Sequence, residues 1–457
     1  MHKTEQFVGL GIRSAESRYL LAATPHATYR SSAMSQAPAR PADPLGWCRM
    51  LALLFFGLTL IRLGIPTTPY FDEVHYLPAA RAILELSEPL NREHPLFGKQ
   101  LIALGIVLFG DNAIGWRIIS AIAGSVALYA AMRALWFGSC DRFATIALGI
   151  LLATGFHLII HARIAMLDVF MVAFCLIALW QFAKAIREPE NGRLRLAVAG
   201  AALGLAMGSK WNAAALAILP GISFLVIRWQ ACGFSRLLNT RGAPVPGVGL
   251  PEAAVWLGIL PLAVYAATFI PAFFYAKDAV SPDDLIAFQH VILDLQQGVK
   301  GAHPYQSNWE DWIINRRAIW YLWDPVDGAQ RGVMLIGNPL TMLLGLPALL
   351  WCAWVGIFRG RRDALAVAVL FAVSFGFWII AAKPVQFYYH FFLPSCFLLA
   401  ALALVLGETW KRGQVWPGPV VLASSAAIFG YFYPILTAAA LAGPGSFKNW
   451  TWFDSWI

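Results

Sequence analysis

Phe71-Asp72-Glu73-Val74-His75-Tyr76 sets two adjacent carboxylates and an imidazole shortly after an apolar run. Adjacent acids repel, so at least one of them needs a cationic partner or a chemical role. The structural alternative is that Asp72 caps a helix starting here, a frequent use of Asp before an apolar stretch. Arg92-Glu93-His94-Pro95-Leu96-Phe97-Gly98-Lys99 follows, placing an imidazole and an ammonium five residues apart around a Pro/Gly turn. Such a turn can hold a phosphate, or Lys99 can snorkel beside it to a membrane surface. Gly115-Trp116-Arg117 offers an arginine that is either an interface anchor or a ligand for an anionic headgroup. Arg163 and Asp168 stand five apart, which we read first as a structural ion pair between helices, while Lys210 in a short turn is better placed to meet a ligand. His303-Pro304-Tyr305-Gln306-Ser307 precedes a run of tryptophans. Aromatic rings with polar groups suit a sugar face or a peptide, and equally a membrane-interface belt.

The elements that must position these residues follow from composition. The chain has 457 residues, 59% hydrophobic and 13% charged, where soluble domains carry about 25% charge. A bilayer span takes roughly 20 mostly apolar residues. Spans are predicted near 47–65, 114–137, 142–158, 165–183, 195–209, 212–228, 251–275, 334–356, 364–381, 387–407 and 416–440, eleven in all. Leu51 to Leu63 and Leu365 to Ala381 are almost continuously apolar, unlike the alternating strands of an outer-membrane barrel. The expected fold class is therefore an all-α polytopic membrane protein. No internal repeat is visible.

With the N-terminus inside, Arg142, Lys184, Arg187, Arg228, Arg359, Arg361, Arg362, Lys411 and Arg412 collect in the inner connections, as the positive-inside rule requires. The net charge of +9 is thus read as topology and not as a nucleic-acid partner. Residues 1–45 are a polar stretch without a signal-type apolar core, expected to be a disordered cytoplasmic tail, with Met34 as an alternative start. Residues 46–457 form the membrane domain, with outer loops at 66–113 and 276–333. Val74–Leu86 and Leu101–Phe109 are expected as helices along the membrane surface. Chemistry is expected on this outer face.

The six cysteines include no CxxC pair, so neither a disulfide framework nor a zinc site is indicated. Walker A and Rossmann glycine fingerprints are absent. A transferase working outside the cytoplasm has no supply of nucleotide sugar and must draw on a lipid-linked donor, which cations near the outer surface suit. A flippase or transporter would place its charges near the bilayer midplane. Here the candidates gather at one face, which favours an enzyme over a transporter or a purely structural subunit.

In combination these residues resemble the protein O-mannosyltransferase family, membrane glycosyltransferases of the GT-C class, in its compact bacterial form. The resemblance runs through most of residues 46–457. It is carried in order by Phe71-Asp-Glu-Val-His75, His94-Pro-Leu-Phe-Gly-Lys99, Gly115-Trp-Arg117, Arg163 to Asp168, Gly208-Ser-Lys-Trp211 and His303-Pro-Tyr-Gln-Ser307. Gly337-Asn-Pro339, Phe387-Tyr-Tyr-His390, Phe432-Tyr-Pro434 and Trp452-Phe-Asp-Ser-Trp456 continue it. The chain departs from the family at Leu96-Phe97, where the turn usually reads His-Pro-Pro-Leu, and the 276–333 loop is too short for the extra β-trefoil of eukaryotic members.

The resemblance implies inverting transfer of mannose from a polyprenyl or dolichyl monophosphate to Ser or Thr of an exported polypeptide. It implies Asp72 as base, Arg117 as stabiliser of the leaving phosphate, and Glu73 and His94 in positioning roles. Lys99 and Lys210 are possible helpers, and Arg163, Asp168, His303, Tyr305 and His390 are further candidates for binding substrate. No obligatory metal or other cofactor is expected. Membrane lipids and export machinery are the other partners expected, in the bacterial inner membrane. A related GT-C enzyme acting on lipid A or a polysaccharide is the nearest alternative.

Overall fold

The computed structural model describes residues 41–298, 301, 303–381 and 383–457; the polar tail up to residue 40, Met34 included, lies outside them. The chain opens with α1 (Leu45–Leu60), α2 (Glu73–Glu85), α3 (Phe97–Phe109), α4 (Ala113–Ser139) and α5 (Arg142–Thr154). Among the described residues eight helices are long and apolar enough to cross a membrane: α4, Leu167–Arg187, Trp211–Cys232, Leu250–Phe274, Pro339–Arg359, Arg362–Ile380, Tyr388–Lys411 and Pro417–Leu436. The predicted count of eleven is therefore not confirmed. Helices form at the other three positions, but α1 has 16 residues, α5 has 13, and Gly192–Ser209 begins with two arginines and continues in Gly and Ala.

Local chemistry sets these boundaries. The Asn112 side chain accepts from the N–H groups of Ile114 and Gly115 at 3.0 and 3.1 Å and so starts α4. Asp141 accepts from Ala144 at 2.9 Å and starts α5. Small residues then let backbones approach as closely as apolar helices need. A Cβ on Gly204 would lie 2.5 Å from the Pro261 carbonyl oxygen, and one on Gly105 would strike the Gly115 carbonyl of α4. The Tyr388–Lys411 helix is buried along almost its whole length and forms the centre of the bundle.

The first outer loop folds as expected into two helices, α2 and α3, that pack on each other. The second was expected to be an aromatic loop and contains a hairpin instead. Strands β1 (Ile319–Val326) and β2 (Ala329–Leu335) pair antiparallel. Their tip is Asp327-Gly328, with φ of 49° and 72°, the left-handed pair that a tight hairpin turn requires. Asp-Gly between two apolar runs is the sequence sign of this turn.

Thr67 of the first loop donates its N–H and hydroxyl to Asp327, fastening the hairpin tip beside α2. The hairpin's other side is held by the chain end. The Trp320 indole donates to the Trp456 carbonyl and the Trp456 indole to the Asn315 carbonyl, both at 3.0 Å.

Candidate active site

The chain reaches α2 through Phe71, whose φ of +49° lies in the left-handed region. For a bulky residue this costs roughly 1–2 kcal/mol. The Phe71 ring stacks on Tyr321 of β1 with 4.0 Å between centroids, and the Tyr321 hydroxyl lies 3.2 Å from His161 Nε2. The hairpin thus holds the residue that turns Asp72 and Glu73 in opposite directions.

Glu73 faces inward and is fully buried. It meets Arg117 in a two-pronged ion pair, with Nε–Oε1 and Nη2–Oε2 both at 2.7 Å. The N–H groups of Tyr70 and Ala165 donate to the same carboxylate at 3.2 and 2.9 Å. The remaining Arg117 donors reach the carbonyls of Leu63, Pro66 and Thr68. All five guanidinium N–H groups are committed inside the protein. The resemblance implied that Arg117 stabilises the leaving phosphate, whereas here it has no N–H group free for one. Glu73 and Arg117 form a buried latch joining the 63–73 segment, α4 and the 163–168 turn.

Asp72 faces the other way. It stands at the helix N-cap position, yet its side chain makes no cap bond, so the capping alternative does not occupy its carboxylate. Its hydrogen-bond partner is the Tyr76 hydroxyl at 3.3 Å. Protein encloses it while leaving it partly accessible. Desolvation raises its pKa above the ordinary carboxylate value, Asp168 adds to this, and Lys210 and His75 oppose it. The result is a carboxylate that accepts a proton more readily than a free aspartate does.

Asp168 is paired, but not with Arg163 as expected. Lys210 Nζ contacts both Asp168 oxygens at 2.8 and 2.7 Å and lies 4.8 Å from the centre of the Tyr389 ring. Arg163 points back to α1 and donates to the carbonyls of Thr59 and Ile61, which close that helix's last turn. Proximity in sequence misled here, because residues five apart on either side of a turn diverge. Lys99 is likewise spent, on the carbonyls of Asn91 and His94 at 2.7 and 2.9 Å, so it braces the 90–94 turn and does not face a ligand.

Beside Lys210 lies a cavity of about 490 Å³ between the bundle and the Leu285–Gly298 helix. Its lining carries His94, Lys210 and Lys383, the amides of Asn212, Gln289, Gln296 and Gln297, and apolar walls that include Leu262, Leu293 and Phe377. His94 Nδ1 lies 3.2 Å from the Gln296 amide nitrogen. Burial and the surrounding lysines hold this imidazole well below its usual pKa, and so neutral.

Lys383 was not singled out in the sequence. It ends an apolar run, where a lysine reads as an interface anchor. Here its ammonium has no hydrogen-bond partner among the described residues, and burial together with Lys210 pushes its pKa down to about 8. His390 is buried beneath the cavity wall, stacked on Trp378 at 3.8 Å, with no partner for Nε2 among the described residues. His303 and Tyr305 are not part of the cavity lining and lie on the loop whose Gln306 reaches the Pro384 carbonyl. The His303 ring meets Phe387 edge-on at 5.0 Å, and Ser307 N–H donates to the Gln386 carbonyl at 3.0 Å, bringing this loop beside Lys383.

The chain is thus a bundle of apolar helices with a titratable cleft beside an amphiphilic cavity. The Pmt1-Pmt2 protein O-mannosyltransferase complex of S. cerevisiae, solved with its sugar donor, superposes with a TM-score of 0.77 over 91% of this chain and 93% of that one at 13% identity. ArnT from Cupriavidus metallidurans, solved with undecaprenyl phosphate, gives 0.52 over 86% and 71% at 15% identity. These likenesses establish the fold.

The resemblance to the protein O-mannosyltransferase family is borne out by sequence as well. The family described as dolichyl-phosphate-mannose-protein mannosyltransferase matches residues 107–276. The polyprenol-phosphate-mannose–protein mannosyltransferase of Mycolicibacterium smegmatis is 28% identical over 87% of this chain and 90% of its own length. The chain is thus similar in sequence to protein mannosyltransferases over most of its length.

Proposed function

We propose that this chain transfers mannose from a polyprenyl monophosphate to a Ser or Thr hydroxyl of an exported polypeptide, with inversion. The observation that carries this reading is the division of the Asp72-Glu73 pair. Glu73 is locked to Arg117, while Asp72, at the edge of the cleft, has no contacting cation among the described residues. A serine hydroxyl is a poor nucleophile near neutral pH, and a carboxylate of raised pKa is suited to take its proton. As the acceptor oxygen bonds to the anomeric carbon, the bond from that carbon to the phosphate oxygen breaks. The proton passes to Asp72 and the electron pair leaves with the lipid phosphate.

Lys383 and Lys210 stand where the cavity is polar, and its apolar walls fit an isoprenoid chain. Lys383 replaces Arg117 in this reading as the main contact to the donor phosphate, with Lys210 oriented by Asp168 beside it. His94 and the His303–Tyr305 loop are assigned to holding the sugar and the acceptor. Two ammonium groups supply the charge a divalent ion would bring, and a phosphate leaves readily, so no obligatory metal enters the mechanism. Chelation with EDTA is expected to leave turnover unchanged; loss of turnover restored by one added divalent ion would overturn this. The cleft is assigned to the outer face of a bacterial inner membrane, because Arg359, Arg361, Arg362, Lys411 and Arg412 cluster at the opposite helix ends.

The direct test is the purified protein in lipid with polyprenyl-phosphate mannose and a Ser/Thr-rich peptide, read by peptide mass. A gain of one hexose is expected. No gain with an active donor preparation, together with sugar transfer to lipid A, would move the acceptor to the lipid class.

Lys383→Gln is expected to raise the KM for donor about tenfold or more, since a charge-assisted bond to phosphate contributes roughly 1.5–3 kcal/mol. The pH profile gives a second readout. Asp72 must be unprotonated, and its raised pKa moves the acidic limb above the usual carboxylate range. Lys383 must be protonated, so donor use should decline as pH rises through about 8. In Lys383→Gln that alkaline decline should vanish while the acidic limb stays. An unchanged alkaline limb would remove Lys383 from the donor site.

A further inference from the structure

The opposite end of the bundle holds a second constellation that the transfer reaction does not use. A recess of about 630 Å³ is lined by Trp351, Trp354, Arg359, Arg361, Glu408 and Arg412, together with Val355. It lies at the far end of the Pro339–Arg359 helix, whose 21 residues place it roughly 30 Å from Asn338. Three guanidinium groups meet here, and Asp363 beside the lining claims Nε and Nη2 of Arg361 at 3.0 and 3.2 Å, which leaves Arg359 and Arg412 as the available cations. Glu408 accepts from Arg361 and from Arg412, each at 2.8 Å. Arg412 contributes only Nε to that bond, which leaves the planar edge of its fork free. Arg359 has no carboxylate partner among the described residues.

Two indole rings hold the guanidinium groups in place. Arg361 lies 5.1 Å from the centre of the Trp351 ring and Arg359 5.4 Å from that of Trp354. Stacking of this kind leaves the in-plane N–H donors of Arg359 directed outward, while those of Arg361 are taken by Asp363 and Glu408. The recess is flanked by apolar side chains with nothing packed on them, Leu350, Ile357, Phe358 and Trp416 being 71%, 64%, 72% and 77% exposed. A free anion needs no such flank, whereas a lipid brings acyl chains attached to its phosphate.

We infer that this recess binds the phosphate headgroup of an anionic membrane lipid in the leaflet opposite the cleft. Arg359 and the free edge of the Arg412 fork receive the phosphate oxygens, the tryptophans lie at headgroup depth, and the acyl chains run along Leu350 and Ile357. Glu408 keeps Arg361 and Arg412 extended and admits one phosphate instead of repelling the cations apart.

The test uses the full chain purified in detergent and mass spectrometry of the intact protein with phosphatidylglycerol or phosphatidylcholine added in equal amounts. The wild type is expected to retain phosphatidylglycerol about tenfold more, and Arg359→Gln with Arg412→Gln to fall to near parity. Arg359→Gln alone removes no carboxylate contact and should lose part of the preference with an unchanged melting temperature. Equal retention by wild type and both variants would overturn the inference. So would displacement of the lipid by inorganic phosphate at matched concentration, which would assign the recess to a soluble anion.

Discussion

Asp72→Asn is expected to yield a folded, membrane-inserted protein whose mannose transfer is slower by about 10²–10⁴-fold, the usual contribution of a general base. The substitution keeps the shape of the side chain and the contact with the Tyr76 hydroxyl. It breaks no ion pair among the described residues, and Lys210, the lysine that acts on Asp72, is held by Asp168. It also removes the burial cost of a carboxylate whose pKa burial already raises, so the melting temperature should hold or rise. The measurement is single-turnover transfer to a Ser/Thr peptide with donor in excess, alongside a melting curve. Rates within a few-fold of wild type would end the assignment of Asp72 as base. A donor KM close to wild type is the accompanying expectation, since Asp72 does not line the cavity.

Arg117→Met is expected to act differently, through folding. Removing one member of a buried ion pair leaves the other charge uncompensated and costs about 3–5 kcal/mol. Here Glu73 would be left fully buried with two backbone donors, and the carbonyls of Leu63, Pro66 and Thr68 would lose their partner. Low yield and a depressed melting temperature should follow. The double variant Glu73→Leu with Arg117→Leu should recover part of the loss, because it removes both charges. If Arg117→Met instead melts like the wild type and only its donor KM rises, the arginine contacts phosphate after all and the latch opens during turnover.

How much of this was legible in the sequence depended on how far apart the interacting residues lie. The apolar runs announced the helices, and the repulsion within Asp72-Glu73 announced that one acid needs a cation. That this cation is Arg117, 44 residues on, was not readable, nor that Lys210 reaches back 42 residues to Asp168. A nearer arginine at 163 looked the better partner for Asp168, and only the path of the turn sends it to α1. Lys99 stood in a turn of the right composition for phosphate, yet the same turn's carbonyls claim its ammonium. The hairpin did have a local sign, Asp327-Gly328, obscured by the aromatic residues around it. Lys383 had none, since a lysine at the end of an apolar stretch reads the same whether it anchors or binds.

The two acids at positions 72 and 73 also differ in what a lineage can do with them. Changing an aspartate codon to an asparagine codon takes one nucleotide, so a folded but silent descendant lies a single step away at position 72. At position 73 the same change strands a buried arginine, and a viable path would need a compensating change at 117 to arrive with it. Neighbours that match in charge and chemistry are thereby exposed to selection on separate grounds, one for turnover and the other for the existence of the molecule.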